Sequence, residues 1–190
     1  MISYQKEKIE NAICFFALNH KKVTRQDLPQ TFLYKYLAML DFQSIKDNGI
    51  PVLGLTYRAM DYGPVPIEIY GERERYKSEC FDFVKRDEKK IVVVPKKDAT
   101  PDLDYFSAYE IKSMNRLIEI FADKFVTSMV ISDVSHVEIR AWARAREIKK
   151  NSYIDYALNF DGDIRNKKEE ELKTAERNYL IYHSLEMLSK

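Results

Sequence analysis

The sequence predicts a mainly α (α+β) fold: a helical domain around a buried central helix, with a small β-hairpin or short antiparallel sheet beside it. Three observations lead there. Residues 32–42 carry Phe32, Leu33, Tyr34, Tyr36, Leu37, Ala38, Met39, Leu40 and Phe42, and a helix that is apolar on nearly every side has to be buried. Apolar residues recur at i, i+3, i+4 and i+7 in residues 4–19 and 107–122, the mark of helices with one inward face. Two β-rich runs, residues 80–84 and 91–95, flank the charged stretch Lys85-Arg86-Asp87-Glu88-Lys89-Lys90, as the arms of a hairpin do.

Taken in order, the first helix turns Ile9, Ala12, Ile13, Phe16 and Ala17 inward and keeps Lys6, Glu7, Lys8 and Glu10 outside. Asn19-His20-Lys21-Lys22 is expected to break it, and Thr24 with Asp27 three residues on resembles a capping box. Pro29 fits the first turn of the second helix, where a missing N–H costs nothing. That central helix runs to about Lys46. Asp47-Asn48-Gly49 ends it, because Gly49 can take the left-handed cap conformation, and Pro51 follows as a stop.

Residues 52–60 mix Val, Leu, Thr and Tyr around Gly54 and predict a short edge strand. Pro64 and Pro66 stiffen the turn Tyr62-Gly63-Pro64-Val65-Pro66, which exposes Tyr62 and opens a helix over residues 67–75. After the hairpin, residues 96–104 form a surface loop. Ser107 and Glu110 are spaced as a capping box for the helix that carries Ile111, Met114, Leu117, Ile118, Phe121 and Ala122. Residues 126–137 and 139–148 are further helical segments. A break at Asn151-Ser152 precedes residues 153–160 and a loop at Asp161-Gly162-Asp163. Leu172, Ala175, Tyr179, Tyr182, Leu185 and Leu188 then mark a last helix within residues 166–190.

The totals narrow the function. A chain of 190 residues suits one hydrophobic core, and 45% apolar residues are too many for disorder. A formal net charge of +1 removes the global signature of a dedicated DNA or RNA binder. Cys14 and Cys80 lie in apolar surroundings with no CxxC or Cys/His cluster, so buried free thiols are expected rather than a zinc site or a disulfide framework. The opening MISYQKEKIENA lacks the basic-then-apolar layout of a signal peptide, and no apolar run approaches the ~18 residues of a membrane span, which predicts a cytoplasmic protein.

Chemistry is hard to place. His20, His136 and His183 are far apart with no HExxH, no GxGxxG, GxxxxGK[ST] or GxSxG is present, and Asp161-Gly162-Asp163 has the wrong register for a calcium loop. No catalytic residue, metal site or cofactor is expected. Lys35 and Asp41, six apart on the buried helix, each anchor a neighbouring segment, since a lone buried charge is costly. Arg140, Arg144, Arg146, Lys149 and Lys150 surround Trp142 as a solvated helix face or an acidic-partner patch. Tyr57, Tyr62, Tyr70 and Tyr76 lie near the rigid turn, where exposed tyrosines anchor interfaces; some of them belong to the core.

The stretch LYKYLAMLDFQSIKDNGIPVLGLTYRAMDYGPVPIEIY resembles the signature of the Panacea domain family, the antitoxin domain of SocA-like and phage-associated proteins. The matching residues are Lys35 and Asp41, then Gly49 and Pro51, then Tyr62, Gly63, Pro64 and Val65. A second family feature, Ser-His followed by Trp, is present as Ser135, His136 and Trp142. The resemblance implies a Panacea-like helical domain over residues 1–145; residues 146–190 lie outside the resemblance and are expected to form a helical extension packed on the same domain. It implies an antitoxin that neutralises a co-encoded toxin by direct protein–protein contact, without catalysis. Tyr57, Arg58, Tyr62, Tyr70, Arg140 and Arg144 are the candidate partner-binding residues. Two other readings remain open: a proteolytic adaptor that delivers a toxin to a protease, and a phage-associated DNA-binding regulator. The expected partners are a cognate toxin, a second copy of the chain and, for the adaptor, a protease; nucleic acid and membrane are not expected.

Overall fold

The computed structural model describes residues 2–88 and 90–188; Met1, Lys89 in the charged turn, Ser189 and Lys190 lie outside it. The protein is mainly α, with short antiparallel sheets. Helix α1 (Gln5–Thr24), the two-residue strand β1 (Leu28–Pro29) and the central helix α2 (Gln30–Asn48) come first. Strands β2 (Tyr57–Met60) and β3 (Gly63–Pro66) form a hairpin that runs into the short helix α3 (Ile67–Glu72). Strands β4 (Phe81–Lys85) and β5 (Ile91–Pro95) form a second hairpin, followed by α4 (Ala108–Phe121), α5 (Ser128–Glu138) and α6 (Arg140–Ile148). Three single turns of 3₁₀ helix lead to α7 (Thr174–Leu188). No described helix is long and apolar enough to cross a membrane.

Helix α2 is the axis of the core, as its all-round apolar pattern requires: Phe32 to Phe42 are buried without interruption, Lys35 and Asp41 included. It ends where expected, with Gly49 left-handed at φ 80° and its N–H on the Ile45 carbonyl. A Cβ at Gly49 would overlap the Ala175 carbonyl, so α7 lies directly against this cap. The loop 96–104 and the Ser107/Glu110 capping box are also in place, and Glu110 accepts from Lys8 Nζ at 2.7 Å, joining α4 to α1.

Several local expectations are corrected. Helix α1 does not break at Asn19. His20 is buried, edge-on to Phe32 and 3.1 Å from the Tyr36 hydroxyl, and the helix runs on to a left-handed Arg25. Burial holds the His20 imidazole neutral by lowering its pKa to about 4. Thr24 is no N-cap: its hydroxyl donates to the His20 carbonyl and accepts from the Gln26 N–H, while Asp27 pairs with Lys21 and Arg86. The expected strand over residues 52–60 begins only at Tyr57, and its partner is the proline-rich segment Gly63–Pro66, so the stiff turn is itself half of a hairpin closed by Asp61 and Tyr62. The helix expected over 67–75 stops at Glu72.

Cys14 and Cys80 are not free thiols. Their Cα atoms are 5.8 Å apart, within the range a disulfide spans, and the two are paired, tying α1 to the start of β4. A separation of 66 residues gives such a pairing no local signature. The three-stranded sheet, in the order β1-β5-β4, lays Leu28 and Pro29 beside Val93 and Val92.

The chain beyond α6 returns to α2. Ile154 N–H donates to Tyr57 O and Ala59 N–H to Ser152 O, both at 2.9 Å, so residues 151–154 line the free edge of β2. Ile45 at the end of α2 then packs in a second apolar cluster with Ala157, Phe160, Ile164, Tyr179 and Tyr182.

Candidate functional site

The residues that carry the family resemblance sort into two groups around α2. The first centres on Asp41, which is fully buried. Its carboxylate accepts from the backbone N–H groups of Leu53 (2.6 Å), Gly54 (3.3 Å) and Leu55 (3.3 Å) and from the hydroxyls of Tyr57 and Tyr156 (3.0 Å each). These bonds fix the irregular segment after Gly49 and Pro51, whose backbone would otherwise be buried without partners. Burial pushes the Asp41 carboxyl pKa up while the four strongest donors pull it back, and burial beside Asp41 raises both tyrosines well above their usual value. Tyr57 is therefore core, and its ring offers nothing to a partner.

The second group centres on Lys35, one and a half turns earlier and 2% exposed. Its Nζ donates to the Pro64 carbonyl at 3.5 Å, a weak contact, and burial lowers its pKa to about 7. Gly63 crosses directly over this amine with φ 105°; a Cβ there would lie 2.7 Å from Lys35 Nζ and 2.8 Å from Ser135 Oγ. The turn thus needs glycine twice, for the backbone conformation and for the close approach.

Ser135, on α5, is fully buried and donates to the Ser132 carbonyl at 2.7 Å. The next residue, His136, stacks flat on Trp142 of α6, with ring centroids 3.9 Å apart and planes within 3°. Trp142 Nε1 in turn donates to the Met60 carbonyl at 3.0 Å. Arg146 lies over the same indole and pairs with Asp61 at 2.8 Å. Burial first, and then the positive charges of Lys35 and Arg146, lower the His136 pKa against the opposing pull of Asp133 and the Tyr62 backbone.

The β2–β3 turn is consequently held from three helices: by Lys35 of α2 at Pro64, by Ser135 of α5 packed beneath Gly63, and by Trp142 and Arg146 of α6 at Met60 and Asp61. Motifs a hundred residues apart in sequence meet at this one turn. What it presents is Tyr62, 73% exposed at the tip.

The other candidate residues lie around it at varying depth. Arg58, on β2, stacks on exposed Tyr153 at 4.8 Å. Arg140 pairs with Asp161 at 3.0 Å, and Arg144 donates to the Leu158 and Phe160 carbonyls, bracing the 3₁₀ turn. Tyr70 is on α3, partly exposed, edge-on to Tyr34 and beneath Arg73. Tyr76 stacks on Phe81. Sequence reasoning had no place for Tyr156 or Tyr153; the stacking of Arg146 was legible only as its i+4 spacing from Trp142.

Residues 33–143, more than half of the chain, match the family described as antitoxin SocA-like, Panacea domain. No curated protein and no solved structure gives a significant match. The matched span begins two residues before Lys35 and closes just after Trp142, so it contains Lys35, Asp41 and the β2–β3 turn but not Tyr156 or Arg146, and the chain belongs to the antitoxin SocA-like Panacea domain family.

Proposed function

We propose that this protein is the antitoxin of a toxin–antitoxin system and neutralises a co-encoded toxin in the cytoplasm by direct binding, with no chemistry of its own. The observation that carries the reading, beside family membership, is the turn at Met60–Pro64. Three helices pack against it, so its exposed Tyr62 pays little ordering entropy on contact with a partner. Arg58, Tyr70, Arg140 and Arg144 are the flanking candidates. The DNA-binding reading is less favoured, because Arg140 and Arg146 face Asp161 and Asp61, and Arg144 is spent on backbone carbonyls. Such pairing leaves little positive potential for phosphate.

Co-expression with the product of the adjacent reading frame tests the proposal. Rescue of growth and a co-purifying complex are expected, with Tyr62→Ala weakening the complex while leaving thermal stability unchanged. Growth arrest that persists alongside a folded, uncomplexed protein would overturn it.

A further inference from the structure

Helix α5 is patterned inside out. The residues it turns to the core include Ser132 and Ser135, 3% and 0% exposed, whereas Met129 is 67%, Val130 45% and Val137 76% exposed. The small serines have a reason to be inside: Ser135 lies beneath Gly63 and beside Lys35, where a larger side chain would collide with the turn. Nothing in the fold explains the outer face. Val130 and Val137 stand at i and i+7, with Met129 next to them and Phe125, 79% exposed, in the loop just before the helix, while Val134 between them is partly buried against the core. An exposed apolar helical face of this kind, spanning residues 129–137, is a surface that a partner covers. It adjoins the clamped turn, because Ser135 on the same helix packs beneath Gly63.

The charges on the stripe say what kind of partner. Asp133 sits between Met129 and Val137 along the helix and Glu138 borders it; neither makes an ion pair among the described residues. Of the cations near it, Lys124 lies over the Phe125 ring and Arg140 is paired with Asp161. A second copy of this chain would suit the face badly, since a twofold contact presents the same acids to each other. An anionic membrane surface is disfavoured by the same acids. We infer that the outer face of α5, with Phe125, docks an amphipathic segment of the toxin whose apolar side is bordered by lysine or arginine. This rests on the antitoxin reading for the partner's identity, though not for the chemistry of the surface.

The test has two arms. In the first, a fluorescein-labelled helical peptide of alternating leucine and lysine faces is titrated with the full chain, and its leucine/glutamate counterpart serves as control. Binding of the lysine peptide alone is expected, weakened at least about tenfold in Met129→Gln/Val137→Gln and in Asp133→Lys/Glu138→Lys, with circular dichroism and melting unchanged. In the second arm, the same variants are co-expressed with the product of the adjacent reading frame and should lose rescue. Equal binding of both peptides, or variants that bind like the original, would overturn the inference. So would a dimer that Met129→Gln/Val137→Gln converts to monomer, or flotation with vesicles rich in anionic lipid. If the unsubstituted protein fails to rescue growth while the peptide arm behaves as expected, the antitoxin reading fails and the basic-segment surface stands. Rescue that survives in both variants has the reverse meaning.

Discussion

Lys35 and Asp41 stand six residues apart on α2, both shut away from solvent, yet Asp41 accepts hydrogen bonds from five groups while Lys35 reaches only a carbonyl at 3.5 Å. A buried charge surrounded by donors organises structure, since each donor is a backbone or hydroxyl group that needed a partner. A buried amine with so little to hold is a cost the fold carries at the place where its turn is presented. The two halves of one sequence signature therefore differ in kind: the Asp41 half builds the core, and the Lys35 half sets the Met60–Pro64 turn.

Substitutions can break this contrast or sharpen it. The largest effect is expected from Asp41→Asn, which puts an amide N–H₂ against donors and leaves buried groups unpaired; denaturant unfolding should show a loss of about 3–5 kcal/mol, and a loss below 1 kcal/mol would remove Asp41 as the organising hub. Lys35→Met should go the other way, gaining about 1–4 kcal/mol at neutral pH. The pH dependence carries the sign. The Lys35 pKa is about 7 in the folded protein against 10.5 unfolded, so between these values the unfolded chain holds the extra proton. Stability then rises with pH through that window, by at most roughly 1.4 kcal/mol per pH unit, and the penalty is complete below pH 7. Lys35→Met should flatten the curve, measured by urea unfolding at pH 7, 8 and 9.

Gly63→Ala comes next, at about 1–3 kcal/mol, because φ 105° strains any side chain and the new methyl meets Lys35 and Ser135. Combined with Lys35→Ala the loss should be less than additive, in a double-mutant cycle read by thermal melts. The smallest effect is Trp142→Phe, which removes the N–H to Met60 O and should cost about 0.5–1.5 kcal/mol. Hydrogen exchange at Asp61 and Tyr62 should quicken in that variant; unchanged exchange would mean that α6 does not restrain the turn.

The chain made some of this legible and hid the rest for physical reasons. The all-round apolar pattern identified α2 as the core helix, Gly49 marked its cap, and Ser107 with Glu110 marked the start of α4, because each is a local rule of helix chemistry. The meeting of Lys35 with Ser135, His136 and Trp142 follows no local rule; it depends on how α5 and α6 pack across α2. Leu28–Pro29 is too short to read as a strand, and it exists only because β5 lies beside it. Residues 126–137 read plainly as a helix, yet valines and serines alternate around it, so periodicity could not say that the serines face inward. Tyr57 looked like an interface tyrosine because it lies near the rigid turn, and only the position of Asp41 reveals it as core.

The Tyr156 hydroxyl on Asp41 has a consequence for the order in which the molecule can be completed. Its donor is encoded 115 residues after its acceptor, and the segment beside it also covers the edge of β2. At ribosomal speeds the interval is on the order of ten seconds. Until residues 151–156 are made, the Asp41 carboxylate is short of one ligand and the edge of β2 is bare. Assembly is thereby timed: residues 151–156 close a structure begun by residues 41–60.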